Sequence, residues 1–487
     1  MENFVITLSY NYVFFLLFNL IFTSIIITLE RKSPTTTLAW LLFMIMLPGI
    51  GFIFYLIFSQ NISKRKIFKY TSEESKLYKS ILNEQRKEFE NHSFKFNDNS
   101  MVNYSDMILF HNKLSESFYS QNNDVQIMTD GKKKFQILFE EIKKAENHIH
   151  ISYYIMKNDS ISYELYDLLK QKAREGVKVR LLGDHIGCRH IRKQTYRELR
   201  EAGVEVALFF PSRFKLINSK ANYRNHRKIV VIDGDVGFIG GFNVGDEYLG
   251  RNKKFGYWRD THLKIKGDAV VGLQMRFLLD WRNASKKSLE SSLDYFKKSP
   301  SPSIGKIGMQ IVTSGPDSIN EQIKHGYIKM ISSAKKSIII QTPYFIPDES
   351  IMEALKIASV SGVDVRMMIP NKPDHMFVYW ATYSYIGDLL KYGVRAFTYE
   401  NGFLHSKMIA VDGKLSSVGT CNFDIRSFKL NFEANAFIYD RQTTRTLERE
   451  FAKDLQLCNE ITKEDYLQRS QRIKMRETIS RLFSPIL

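Results

Sequence analysis

One phrase occurs twice in this chain. "HRKIVVIDGDVGFIGGFNVG" begins at His226, and "HSKMIAVDGKLSSVGTCNFD" begins at His405, about 180 residues later. Each has a His, a Lys two places on and an Asp five places after the Lys. A Gly, a small-residue pair (Gly240-Gly241, Gly419-Thr420) and an Asn (Asn243, Asn422) follow. Other segments repeat in step. "GVKVRLL" from Gly176 matches "GVDVRMM" from Gly362, and "REAGVEVALF" from Arg200 matches "LKYGVRAFTY" from Leu390. Each pair reads as helix end, glycine cap and strand. The repeat predicts an α/β protein of two similar lobes with pseudo-two-fold symmetry, their duplicated phrases facing each other.

Within the phrase, "RKIVVID" alternates and is β-branched, so it reads as a strand, and the Asp-Gly after it reads as a hairpin turn. Residues two apart on a strand share a face. His226 and Lys228 therefore point one way, as do His405 and Lys407. Asp233 and Asp412 fall on the opposite parity at the turn, which suits a turn former or support group better than a reagent. A His beside a Lys suits phosphodiester chemistry. The lysines neutralise an anionic diester, one imidazole can attack phosphorus, and a second can protonate the leaving alkoxide. Two histidines of opposite starting protonation are needed, so each half would supply part of a site that neither completes alone. A metal centre is a poor alternative, because a protonated Lys offers no lone pair.

The bulk numbers locate such a site. A chain of 487 residues, 44% hydrophobic and 25% charged, suits two globular domains with extras. Cys188, Cys421 and Cys458 match no zinc or disulfide framework. The net charge of +18 lies entirely beyond residue 60, since Arg31 and Lys32 cancel Glu2 and Glu30. A basic body implies an anionic partner. The N-terminus favours a membrane surface over nucleic acid. Residues 8–29 and 38–58 are uncharged runs separated by "ERKSPTTT". At ~1.5 Å per residue each is long enough to cross a bilayer. Lys64, Arg65, Lys66, Lys69 and Lys76 outnumber Arg31 and Lys32, which places the lobes in the cytoplasm. The expected organisation is a transmembrane helical hairpin over 1–60, a charged connector over 61–124, and lobes over 125–300 and 301–487, the second ending in a basic helix.

The duplicated pattern, His-x-Lys, four residues, Asp, then Gly-Gly or Gly-Thr and an Asn, resembles that of the phospholipase D superfamily. The continuation "CNFDIRSFKLNFEANAF" (421–437), with Asp424, Arg426, Ser427, Asn431 and Glu433, resembles the bacterial cardiolipin synthase branch. So do "QTPYFIPD" (341–348), "FGYWRDTHLKIKG" (255–267) and the second uncharged run. The resemblance covers the chain from about residue 30 to its end. It implies a bacterial cell-membrane enzyme that transfers a phosphatidyl group between two phosphatidylglycerol molecules, giving cardiolipin and glycerol through a phosphohistidine. It implies no cofactor or metal. Anionic membrane lipid, not nucleic acid, would be the partner, and a homo-oligomer is compatible with it. The catalytic positions map to His226, Lys228, Asp233, His405, Lys407 and Asp412. By analogy His226 is the nucleophile and His405 the acid and then base, although the residues themselves leave those roles interchangeable. Downstream carboxylates, Asp260 after His226 and Glu433 after His405, are expected to hold the idle imidazole nitrogens. Asn243 and Asn422 are candidate phosphate donors.

Hydrolysis to phosphatidic acid would use the same residues, and a binding protein with a decayed site is a rival of another class. The remaining histidines (His148, His150, His185, His190, His262, His375) read as ordinary fold or surface residues. "DHMFVYWATYSY" (374–385) reads as a core helix rather than an acyl channel. The basic tail 469–483 could lie on a membrane interface or pack on its lobe.

Overall fold

A computed structural model describes residues 67–211, 222–287, 292–296 and 304–484, together with 34–47 and scattered positions before residue 60. The chain divides into two compact units. One is Met1–Lys64 with Ser212–Asn222; the other is Arg65–Pro211 with Tyr223–Leu487.

In the first unit a helix spans Pro34–Met46 and ends before Pro48. Gly51 lies against it, where a Cβ would fall 2.8 Å from the Met44 Cα, and Met44 and Tyr55 are buried against Trp40 and Leu41. Apart from four positions, the expected span 8–29 lies outside the described residues. Among the described residues no helix is long and apolar enough to cross a membrane.

The second unit holds the repeat. Its first half runs β1 (Asn123–Asp130), β2 (His148–Tyr153), β3 (Lys178–Asp184), β4 (Glu205–Phe209), β5 (Arg224–Asn225), β6 (Ile229–Ile232), β7 (Val236–Gly240) and β8 (Trp258–Gly267). The second half runs β9 (Gly308–Ser314), β10 (Ser337–Gln341), β11 (Phe345–Ile346), β12 (Asp364–Pro370), β13 (Arg395–Tyr399), β14 (Phe403–Leu404), β15 (Met408–Val411), β16 (Leu415–Gly419), β17 (Phe423–Asp424), β18 (Asn431–Tyr439) and β19 (Cys458–Ile461). The sheets have matching order, β1-β8-β7-β6-β2-β3-β4 and β9-β18-β16-β15-β10-β12-β13, the latter extended by β19. In each, three parallel strands joined by helices meet an antiparallel set begun by the duplicated phrase. The helices between the parallel strands end at Gly176, Gly203, Gly362 and Gly393, all at positive φ (89–95°), which a side chain would resist.

Both faces of the central strands are buried, and alternation assigns them. Ile229 and Val231 of β6 face a core shared with Met408 and Ala410 of β15, between the two sheets. Val230 and Ile232 face the helices of the first lobe, and Ile409 and Val411 those of the second. Two short strands cross this seam. β5 pairs in parallel with the start of β18 (Arg224 with Asn431, Asn225 with Phe432). β14 pairs in parallel with the start of β8 (Phe403 with Trp258, Leu404 with Arg259). Each lobe thus donates the residues before its duplicated phrase to the other lobe's sheet.

The polar segment expected to be a connector is part of this body. A helix over Ser72–Glu90 opens with a capping box between Thr71 and Glu74. Its Tyr78 and Leu82 pack on Met275 and Leu279 of the first lobe, while Arg282 donates to both oxygens of buried Glu74 at 2.7 and 2.6 Å. Phe89, Met101, Met107 and Ile108 join the core of the second lobe. The folded core therefore begins well before Val125. Its buried positions are few among many charges, which is why the composition reads as linker. Phe89→Ala should cost ~3–5 kcal/mol of stability, as for a core aromatic. Denaturant unfolding checks this, since a true connector residue would cost almost nothing.

Candidate active site

The crossed strands set up the site. Beyond β5, the His226 N–H donates to the Phe432 carbonyl at 3.0 Å, and His226 Nδ1 meets the Glu433 carboxylate at 2.9 and 3.0 Å. Beyond β14, the His405 N–H donates to the Arg259 carbonyl at 2.7 Å, and His405 Nδ1 meets Asp260 Oδ2 at 2.7 Å. Chain spacing associates Asp260 with His226 and Glu433 with His405. The structure reverses this: each imidazole is held by the carboxylate of the other lobe, because each histidine has been carried across the seam by its short strand.

Behind each pair the small residues of the phrase have distinct tasks. A Cβ on Gly241 would lie 1.9 Å from Asp260 Oδ1, so glycine makes room for that carboxylate. At the matching place Thr420 Oγ1 donates to Glu433 Oε2 at 2.5 Å, and Asn431 Nδ2 donates to Oε1 at 3.2 Å. A carboxylate only accepts, so Nδ1 of each histidine carries the proton and Nε2 is left for chemistry. Lys407 Nζ also lies 2.8 Å from His405 Nδ1, but with Asp260 taking that proton the ammonium is directed to the His405 carbonyl. Lys228 makes the matching bond to the His226 carbonyl at 2.7 Å. Rings flank both histidines, Tyr154 at 5.0 Å from His226 and Trp258 at 5.2 Å from His405. Thr420, Asn431 and Trp258 lie in the family-like segments of the sequence without a role attached to them there, and Tyr154 is marked only by its place in the repeat.

Only the imidazoles reach outward. The His226 and His405 side chains are 12% and 10% exposed, and Lys228, Lys407, Asp260 and Glu433 are fully buried. Burial pulls both imidazoles down to about 4. Glu433 opposes that at His226 and Asp260 at His405, while Lys228 and Lys407 add to it. Burial also lowers Lys228 to about 7 and Lys407 to about 8, against the pull of the two carboxylates. Burial alone would raise Glu433, but the fields of His226 and Lys228, with its hydrogen bonds, hold it below the usual carboxylate range. Each lysine's field acts on both imidazoles, so the four groups form one electrostatic unit across the seam. Such a unit, short of negative charge at its mouth, is suited to a tetrahedral anion.

The other expected site residues have partners of their own. Asp233 and Asp412 are at hairpin turns with φ 53°. Asp233 accepts the backbone N–H groups of Glu146, Asn147 and His148, and Asp412 those of Lys335, Lys336 and Ser337, all at 2.8–2.9 Å. They clasp the entry to β2 and β10 and stand a strand length, ~16 Å, from the lysines. Their carboxylates are engaged in the support role that strand parity assigns to them. Asn243 is held locally, accepting from the Ile155 N–H at 3.1 Å and donating to Tyr248 Oη at 3.2 Å. Asn422 Nδ2 donates to Asp424 at 2.9 Å. His148 and His150 share Gln274 inside the first lobe.

Known proteins match this architecture. A family described as "Cardiolipin synthase, PLD-like domain" matches residues 138–260 and 327–455, one copy in each lobe, and "Phospholipase_D-nuclease N-terminal" matches 14–60. A cardiolipin synthase of Oceanobacillus iheyensis is 53% identical over 95% of this chain and 96% of its own length. The major cardiolipin synthase of Bacillus subtilis is 50% identical over 97% of this chain and 98% of its own. A cardiolipin synthase of Staphylococcus aureus is 50% identical over 96% and 95%. Among solved structures, phosphatidylserine synthase from Haemophilus influenzae superposes with a TM-score of 0.61 at 15% identity, covering 78% of this chain and all of that one, a likeness of fold.

Nitrogen chemical shifts of labelled histidine test the electrostatics. At pH 7 both His226 and His405 should be neutral with the proton on Nδ1, and neither should titrate until the pH falls towards about 4. A protonated imidazolium at neutral pH in the substrate-free protein would contradict this.

Proposed function

The chain belongs to the phospholipase D-like cardiolipin synthase family, and we propose that it transfers a phosphatidyl group between two phosphatidylglycerol molecules. The observation that carries this reading is the pair of crossed carboxylate–imidazole contacts, one from each matched copy of the family domain. Relatives named cardiolipin synthase at about 50% identity over nearly the whole chain support it.

In the proposed reaction Nε2 of one histidine, His226 by family analogy, attacks phosphorus. A P–N bond forms as the P–O bond to one glycerol breaks. The leaving alkoxide takes a proton from Nε2 of the other histidine, His405, and departs as glycerol. A hydroxyl of a second phosphatidylglycerol then gives its proton back to His405 and attacks phosphorus. The P–N bond breaks, cardiolipin forms, and both imidazoles return to their starting states. Asp260 steadies the imidazolium that His405 must become, and Glu433 steadies the charge on phosphorylated His226. Lys228 and Lys407 offset the diester charge. The resting His405 is neutral with Nε2 bare, so it takes up a proton from solvent at Nε2 when the anionic substrate binds and raises its proton affinity, and the cycle then runs from that protonated state.

We place this chemistry at a membrane. The two uncharged runs over 8–29 and 38–58 are long enough for two spans, residues 14–60 match a family N-terminal region, and the basic residues that follow favour lobes on the cytoplasmic side. The lobes complete the site within one chain.

Three measurements test the proposal. Purified protein given labelled phosphatidylglycerol should form cardiolipin and glycerol one for one; phosphatidic acid as the main product would mean hydrolysis instead. His226→Ala and His405→Ala should each lose roughly 10³-fold or more of turnover while keeping the fold. The pH profile has a defined sign. The groups needed as cations, the acid imidazole and both lysines, shed protons as pH rises, with Lys228 at about 7 and Lys407 at about 8 in the free protein. The specificity constant kcat/KM should therefore fall between pH 7 and 9, and a rise over that interval would contradict the assignment.

A further inference from the structure

The C-terminal helix Gln471–Leu482 is packed the wrong way round for a soluble protein. It turns polar residues to the body: Glu477, Ser480 and Ser484 beyond its end are 2–3% exposed. Glu477 accepts from Arg469 at 2.8–2.9 Å, and Arg481 donates to Asp388 at 2.6 Å and to Ser384 at 3.2 Å on the helix Met376–Leu390. Most of its apolar residues face outward, Ile473 being half-buried. Met475, Ile479, Leu482 and Phe483 follow i, i+4, i+7, i+8 spacing and are 60%, 43%, 75% and 44% exposed. Phe483 meets Phe377 edge-on at 5.9 Å, which extends the patch to the exposed first turn of the neighbouring helix, Met376 and Phe377. Cations border it. Arg476 lies over Trp380 at 5.6 Å, and Arg472, Lys474 and Lys372 make no ion pair among the described residues.

A small cleft lies beside the patch. Pro343, Tyr344, Lys372, Asp374 and Val378 line a cleft at the start of the helix Met376–Leu390, where Tyr344 Oη donates to Asp374. Asp374 is one of the carboxylates whose field helps keep the proton on Lys407. An apolar surface bordered by arginine and lysine matches the interface of a bilayer rich in anionic lipid.

We propose that this face, Met376 and Phe377 with Met475, Ile479, Leu482 and Phe483, inserts into the interface of an anionic lipid bilayer and holds the catalytic lobes against the surface that supplies their substrate. The functional part of this inference rests on the phosphatidylglycerol reading above. A partner protein or a second copy of the chain is the competing occupant, but the cationic rim and the adjoining cleft favour lipid.

The test uses the full-length chain with Cys458→Ser, because Cys188 and Cys421 are buried. A fluorophore is placed at Met475→Cys, with Lys143→Cys on the first lobe as control, and the protein is reconstituted in phosphatidylglycerol vesicles. Lipids brominated on the acyl chain should quench the label at 475, and not that at 143, while aqueous iodide should not reach the label at 475. Quenching by iodide alone, or protection from both quenchers as a protein contact would give, overturns the proposal. A second arm compares substrates. Leu482→Gln with Phe483→Ser should lower turnover of bilayer phosphatidylglycerol by roughly ten-fold, and that of monomeric short-chain phosphatidylglycerol less than about two-fold. Equal effects on both substrates would contradict a docking role. If the unaltered protein makes cardiolipin from neither substrate, the catalytic reading fails, while the quenching result still decides the docking.

Discussion

The parallel exchange of two short strands governs the rest of this structure. Arg224–Asn225 and Phe403–Leu404 each leave their own lobe and pair with the other lobe's sheet. That pairing fixes the backbone of His226 against Phe432 and of His405 against Arg259, and so fixes each ring against the next residue's carboxylate. Neither lobe contains a finished imidazole–carboxylate pair. Buried ion pairs on both sides resist sliding of the seam. Arg227 bonds Asp280 at 2.9 Å and reaches the Glu433 and Ser314 carbonyls of the second lobe; Arg259 bonds Asp454 at 2.7 and 2.9 Å. Removing one partner of such a pair leaves a buried charge uncompensated, at about 3–5 kcal/mol, so wrong registers are strongly disfavoured.

The same arrangement gives the site its charge balance. Two carboxylates, two lysines and two imidazoles are brought together out of water. Burial drives the imidazoles towards neutrality and loosens the protons of both lysines, so these groups are poised rather than strongly cationic. An incoming phosphodiester supplies the negative charge that this environment lacks. It strengthens the hold on every proton the reaction needs, including the one that the acid imidazole must deliver.

Much of this was legible in the sequence. The duplicated phrase, the glycine-capped strands and the Asp-Gly turns announce two α/β lobes, and strand parity alone separates His and Lys from the turn aspartates. Strand parity puts Asp233 and Asp412 at the turns where they make their backbone clasps, while the family pattern groups them with the His and Lys. What the sequence could not carry was long-range topology. Asp260 and Glu433 were visible as candidates, but spacing pairs each with the nearer histidine, and only strand exchange crosses them. For Asn243 and Asn422 the sequence shows the repeated position but not the bonds each makes, to the Ile155 N–H and Tyr248 and to Asp424. The segment before residue 124 read as a connector since its core contacts, Tyr78, Leu82 and Phe89, are sparse among charges. The basic tail left packing and membrane contact as alternatives; the structure shows its polar face packed and its apolar face exposed.

The central claim is that the imidazoles of residues 226 and 405, one from each lobe, act in sequence on one phosphorus atom. A phosphatidyl ester with a p-nitrophenol leaving group needs no acid to depart, so it isolates the first step. Given that substrate, His405→Ala protein should release nitrophenol in a single burst equal to the enzyme present and hold the phosphatidyl group on residue 226, as read by mass spectrometry after quenching. A folded His405→Ala protein with no burst, or with the label on any residue other than 226, would contradict the account.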